Sequence, residues 1–147
     1  MHAPDAPMTG DARAICPQCG APLFARTHGD LTCVQHGHWI PHEVVDSTFG
    51  AGAADNVRRL TSHARLTPRK CPDDRYEMSF LQNDTGSVQA DACARCGGVW
   101  MPLPIVEQAM QTGPMPAGTT QAEARSLFAL GAVRALVAGP ASAHVRR

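Results

Sequence analysis

The strongest constraint on this chain is a two-part pattern of metal-type ligands that occurs twice. The first copy runs Cys16-Pro-Gln-Cys19-Gly20 and, thirteen residues on, Cys33-Val-Gln-His36-Gly37. The second runs Cys71-Pro-Asp-Asp74 and then Cys93-Ala-Arg-Cys96-Gly97. A Cys-x2-Cys turn with proline second and glycine last presents two thiolates to one ion, and two such knuckles brought together by strands supply four tetrahedral corners. The repeat therefore predicts two Zn²⁺ per chain, one on Cys16, Cys19, Cys33 and His36 and the other on Cys71, Asp74, Cys93 and Cys96.

Each fourth ligand has a competitor. His38 competes with His36, because Cys33–Pro41 and Cys93–Pro102 align only with one residue deleted; spacing favours His36. In the second set Asp74 takes the place of a cysteine, and carboxylate oxygen is an accepted zinc donor. The alternatives there are Asp73 or a water molecule. Three thiolates and a carboxylate around Zn²⁺ leave a charge of about −2, which calls for compensation from a nearby cation such as Lys70, Arg75 or Arg95. Iron is accepted by the same knuckles. His28 and His42 raise the alternative of an open, catalytic metal but read as solvated side chains. Neither cysteine pair opens a helix in a βαβ setting, where a thioredoxin-like dithiol belongs.

The intervening residues organise the fold. Leu23–Thr27 and Leu31–Cys33 flank a turn at His28-Gly29-Asp30, and Met78–Phe80 and Val88–Ala92 flank one at Asn83–Gly86, so each copy predicts a β-hairpin. Trp39 and Trp100, the only tryptophans, occupy matching positions and should pack alike. Short helices are expected near His42–Ser47 and from Pro104 to Met110. A bridging helix capped by Asp55 or Asn56 should use Val57, Leu60 and Ala64 and stop at Thr67-Pro68. Thr120-Gln-Ala-Glu123 is a capping box opening a last helix that should end at about Ala138, before Gly139-Pro140. The expected class is a small metal-stabilised α+β chain. It comprises a disordered tail (1–14), zinc ribbon 1 (15–49), a linker and bridging helix (50–69), zinc ribbon 2 (70–113), and a C-terminal helix and tail (114–147).

Composition bounds the function. Aromatics make up 5% of the 147 residues, with 13 glycines and 12 prolines, so large core side chains are scarce and metal is expected to support the fold. No signal-peptide pattern or membrane-length apolar run is visible, which places the chain in a reducing cytoplasm and makes zinc a better use of the cysteines than disulfides. Thirteen basic and thirteen acidic side chains balance, and metallation takes the net charge to about −2, which argues against a non-specific polyanion binder.

The stretch from Cys71-Pro-x-Asp74 to Cys93-x-x-Cys96-Gly97-Gly98-Val99-Trp100 resembles the transcription-factor-IIB-type zinc-finger family of bacterial proteins. In that family Cys-Pro-x-Cys, a hairpin and Cys-x-x-Cys-Gly-Gly-hydrophobic-Trp are followed by an acidic helix. The resemblance covers about forty residues, with the first copy a diverged version, and it implies a zinc-ribbon fold and little about activity. The chain departs from the pattern at Asp74, His36 and Met101-Pro102. The expected function is a non-enzymatic zinc-binding module for protein interaction or adaptor work, with a protein partner or self-association through the very apolar 120–138 helix. Nucleic-acid binding through Arg58, Arg59, Arg65, Arg69 and Lys70 is the alternative. A metal-dependent enzyme, with only Glu43 or Glu107 to serve as a base, is the third reading.

Overall fold

The structure is a computed structural model that describes residues 14–115 and 117–145, with side chains as far as Val137. Of the expected N-terminal tail only Ala14 falls within it; the rest lies outside the described residues. Seven strands form one antiparallel sheet: β1 (Phe24–Ala25), β2 (Leu31–Cys33), β3 (Gly37–Ile40), β4 (Leu66–Lys70), β5 (Glu77–Gln82), β6 (Gln89–Ala92) and β7 (Val99–Pro102), in the order β1-β2-β3-β7-β6-β5-β4. Helices α1 (His42–Phe49), α2 (Ala53–Thr61), α3 (Leu103–Thr112) and α4 (Gln121–Val145) complete a small α+β fold.

The two copies of the repeat are fused through their third strands. In β3–β7, Trp39 lies opposite Trp100, His38 opposite Met101 and Ile40 opposite Val99. That register centres a local two-fold on the tryptophan pair: β1-β2-β3 on one side corresponds to β5-β6-β7 on the other, and β4 is an added edge strand. Both third strands lead into a helix through a proline N-cap, Pro41 (φ −63°) just after β3 for α1 and Pro102 (φ −65°), the last residue of β7, for α3. Proline's fixed φ suits the first turn of a helix, and its missing N–H ends strand pairing.

Because side chains alternate across a sheet, the register sorts the residues into two faces. One face, with Ile40, Leu81, Ala92, Val99 and Met101, is covered by the helices through Val45, Val57, Val106, Val133 and Leu136. The other carries Trp39, Trp100, Leu23 and Met78 together with Cys16, Cys33, Cys71 and Cys93. Helix α4 buries Ala129, Leu130, Val133, Leu136 and Val137 within its own chain. Its N-terminus is capped as expected, Thr120 Oγ1 accepting from the Glu123 N–H at 3.1 Å.

Three expectations are corrected. The bridging helix runs Ala53–Thr61 without a side-chain cap of its own; Asp46 Oδ1, on α1, accepts from the Ala54 N–H at 2.9 Å. The stretch expected to end that helix, Leu66–Lys70, is strand β4, because pairing with β5 satisfies backbone groups that Pro68 would leave unbonded in a helix. Helix α4 continues through Gly139-Pro140 to Val145. Among the described residues no helix is long and apolar enough to cross a membrane.

Candidate metal centres

Each knuckle is a tight backbone turn. Gly20 N bonds Cys16 O at 2.9 Å, Arg75 N bonds Cys71 O at 3.0 Å and Gly97 N bonds Cys93 O at 2.9 Å. The turn needs a left-handed residue, supplied by glycine at Gly20 (φ 80°) and Gly97 (φ 85°) and by a side-chain-bearing residue at Arg75 (φ 67°). Arg75 is held there by a hydrogen bond to the Pro72 carbonyl.

The strands bring the four knuckles together in pairs. Donor atoms of Cys16, Cys19, Cys33 and His36 all lie within 4.8 Å of one another, as do those of Cys71, Asp74, Cys93 and Cys96. Individual separations test whether an ion fits. Tetrahedral Zn–S bonds of about 2.3 Å place two sulfurs about 3.8 Å apart, and a sulfur about 3.6 Å from a nitrogen or carboxylate oxygen. Cys19 and Cys33 sulfurs are 3.9 Å apart, as are those of Cys71 and Cys96. His36 Nδ1 is 3.5 Å from Cys33 Sγ and 3.7 Å from Cys16 Sγ, and Asp74 Oδ2 is 3.4 Å from Cys93 Sγ. These spacings match the edges of a metal tetrahedron and are far longer than the ~2.05 Å of a disulfide. Both clusters could therefore hold a metal ion, with zinc the natural match to the donor set.

The electrostatics also call for a cation. Hydrogen bonds to Cys93 and Cys96, then burial, push the Cys71 thiol far above the usual thiol range, while hydrogen bonds with Cys71 and Cys96 hold Cys93 far below it. Thiols packed this closely cannot all ionise on their own, and a divalent ion removes the obstacle. In the first cluster, burial pushes buried Cys16 up to about 11 against the pull of the Gln18 and Cys19 amides. Exposed Cys19 is lowered, chiefly by the Ala21 amide.

The more anionic second cluster is ringed by donors: the N–H groups of Asp73 and Asp74 point at Cys71 Sγ (3.4 and 3.5 Å), and those of Cys96 and Gly98 at Cys93 and Cys96 Sγ (3.4 Å each). One guanidinium at this centre was not among those expected from sequence. Arg58 reaches over from α2 to place Nη1 2.9 Å from the Cys96 carbonyl. Sequence offered no signal for this, since α2 is brought to the knuckle by close packing: a Cβ on Gly97 would lie 2.6 Å from the Ala54 carbonyl oxygen. Arg95 instead stacks on Tyr76, 3.9 Å from the ring centroid.

The competing ligands are occupied elsewhere. His38 lies on the helix-covered face, its Nδ1 2.9 Å from Asp30 Oδ2, which also accepts from Ser126 Oγ at 2.8 Å. All three side chains are buried. Burial raises the Asp30 pKa, but the hydrogen bonds from His38 and Ser126 outweigh it and hold the carboxyl below its ordinary value. Asp73 Oδ2 accepts from Trp39 Nε1 at 3.1 Å. His28 faces Glu123 at 3.6 Å and His42 faces Glu43 at 3.4 Å, and neither belongs to a cluster.

The predicted basic patch is largely taken up by local contacts. Arg58 pairs with Asp55 besides Cys96, Arg59 bonds Asn56 Oδ1 at 2.7 Å, Arg65 stacks on Phe80 and Arg69 pairs with buried Asp91 at 3.2 Å. Comparison with family models, with curated proteins and with solved structures finds no match to this chain.

Proposed function

We propose that this chain is a zinc-binding protein in which two ions brace a fused pair of zinc ribbons, and that it works by engaging a partner protein rather than by catalysing a reaction. The observation that carries the metal reading is the pair of four-donor clusters with tetrahedral edge lengths. The resemblance of the second copy to transcription-factor-IIB-type zinc fingers supports the same assignment. Four protein ligands per ion leave no coordination position for a substrate, which is the mark of a structural rather than a catalytic zinc site. The buried Asp30, His38 and Ser126 do not supply a nucleophile either, since hydroxyl and imidazole both bond the same carboxylate oxygen instead of each other.

The partner reading rests on what surrounds the clusters. Val34, between ligands Cys33 and His36, is 61% exposed, and Tyr76, two residues beyond Asp74, is 51% exposed. Each centre thus carries a large apolar side chain at its rim, where a rigid knuckle can present it at little entropic cost. Leu130, Val133, Leu136 and Val137 of α4 are buried within the chain itself, so the proposed contact surface is the knuckle rim rather than the 120–138 helix.

Elemental analysis of protein purified without added metal should give two zinc ions per chain; one ion, none, or iron refutes the metal assignment. Cross-linking in the native host, comparing the wild-type chain with Val34→Glu and Tyr76→Glu, tests the partner. A specific adduct lost in the variants, with zinc content and thermal transition unchanged, is the expected result. Identical adducts in all three would place the contact elsewhere.

A further inference from the structure

We propose that the two metal centres load cooperatively, each ion raising the affinity of the other through the tryptophan pair they share; the proposal rests on the metal-binding reading above. Cys16 and Cys33 from one centre and Cys71 and Cys93 from the other belong to a single buried cluster with Trp39 and Trp100, both 0% exposed. The arrangement is crossed. Trp39 follows the second knuckle of the first centre, yet its Nε1 donates to Asp73, which sits between Cys71 and Asp74 of the second centre. Its ring lies where a Cβ on Gly98, two residues past Cys96, would come within 2.5 Å of Cη2 and Cζ2. Trp100 follows the second centre and packs the opposite way, Cζ2 lying 3.0 Å from a Cβ built on Gly37, next to His36. From the same side, the Leu103 N–H that follows β7 donates to the His36 carbonyl at 2.9 Å.

Each tryptophan is thus tied by the chain to one centre and packed against the other. Ordering this pair fixes two backbones and two large side chains, a cost met by whichever ion binds first. The second ion then finds its apolar wall in place, so its binding is strengthened, and linkage makes the effect reciprocal. The side-chain hydrogen bond runs one way only. Trp100 Nε1 is buried without a hydrogen-bond partner among the described residues, and the position matching Asp73 in the first knuckle is the exposed Gln18.

Native mass spectrometry of the metal-free protein given one equivalent of Zn²⁺ tests the proposal. Two uncoupled sites, equal or unequal, leave at least about half of the chains singly loaded, whereas coupling on the order of tenfold between sites of equal intrinsic affinity lowers that share to about a quarter. A low singly loaded fraction is expected for the native chain and for Trp100→Phe, which loses no hydrogen bond. Trp39→Phe, which loses the bond to Asp73, should raise it while both sites still fill in excess zinc; if that variant fails to fold, Asp73→Ala takes its place. A singly loaded fraction at or above half in the native chain that Trp39→Phe leaves unchanged, with two ions bound at saturation, overturns the coupling and leaves the metal reading intact. Failure to bind zinc at saturation overturns the metal reading itself. Equal behaviour of the Trp39 and Trp100 variants refutes transmission through the Trp39–Asp73 bond.

Discussion

Gly98→Ala probes the reciprocal packing of the tryptophans with one methyl group. Gly98 has no left-handed φ to lose, so the effect is purely one of space. The new Cβ would stand 2.5 Å from two ring carbons of Trp39 and 3.1 Å from the Ile40 carbonyl oxygen. A comfortable carbon–carbon contact is about 3.5–4.0 Å, so the ring must retreat by about 1 Å. Trp39 is fully buried and tied to Asp73, which leaves it little room to move. Overpacking of a rigid core of this kind costs about 1–3 kcal/mol, and the upper half of that range applies here. Gly37→Ala should cost more, because its Cβ would lie 2.4 Å from the Met101 backbone oxygen at a φ of +152°. Gly131→Ala is the internal control. It lies on the exposed side of α4 with nothing within 4 Å of the added carbon, and should gain about 0.5–1 kcal/mol from helix propensity. Thermal unfolding at fixed excess zinc measures all three, at about 2–4 °C per kcal/mol for a chain of this size. A Gly98→Ala protein as stable as the wild type would refute the packing of Trp39 over the opposite knuckle.

Three further outcomes are expected. Removing metal with a chelator, or introducing Cys16→Ser or Cys93→Ser, should abolish the cooperative thermal transition, since structural zinc contributes on the order of 10 kcal/mol in small domains; an intact transition after metal removal contradicts a structural role. Asp74→Ala should weaken zinc at the second centre far more than at the first, which loses at most the roughly tenfold coupling, and Asp74→Cys should tighten it, both measured by competition with a chromophoric chelator; equal loss from both centres in Asp74→Ala argues against Asp74 as a ligand. Asp30→Ala should cost about 3 kcal/mol by stranding the buried Ser126 hydroxyl and leaving His38 Nδ1 only the longer contact with Thr32 Oγ1 at 3.2 Å, and should raise hydrogen exchange at the start of α4. Because the folded-state pKa of Asp30 is lowered, its contribution is present at neutral pH and is lost as pH falls through that value. Asp30→Ala should therefore differ least from wild type in acid, and a difference that grows as pH falls would contradict this.

Much of the site was readable along the chain because a knuckle is local. Its two ligands and the positive-φ residue that closes it lie within five positions, and the repeat shows which knuckles belong together. Hairpins, the capping box at Thr120 and the proline-led helices α1 and α3 are local in the same sense. The sequence by itself thus determined the two candidate ligand sets and the elements that carry them. What it left out depends on partners distant in the chain. Strands β3 and β7 were hidden because they are buried on both faces and show no alternation, and each has one neighbour in its own module and the other across the module boundary. The same pairing joins two expected ribbons into one sheet, sets Trp39 opposite Trp100, and explains why a glycine stands two residues before each of them. His38 was a candidate ligand until the pleat turned it to the helix-covered face against Asp30, since residues one step apart in a strand point to opposite sides. Leu66–Lys70 became a strand because β5 offered it hydrogen bonds, and Arg58 reached Cys96 because α2 packs on Gly97. Tertiary structure decided these points because each depends on the free energy of a contact between segments that no local pattern encodes.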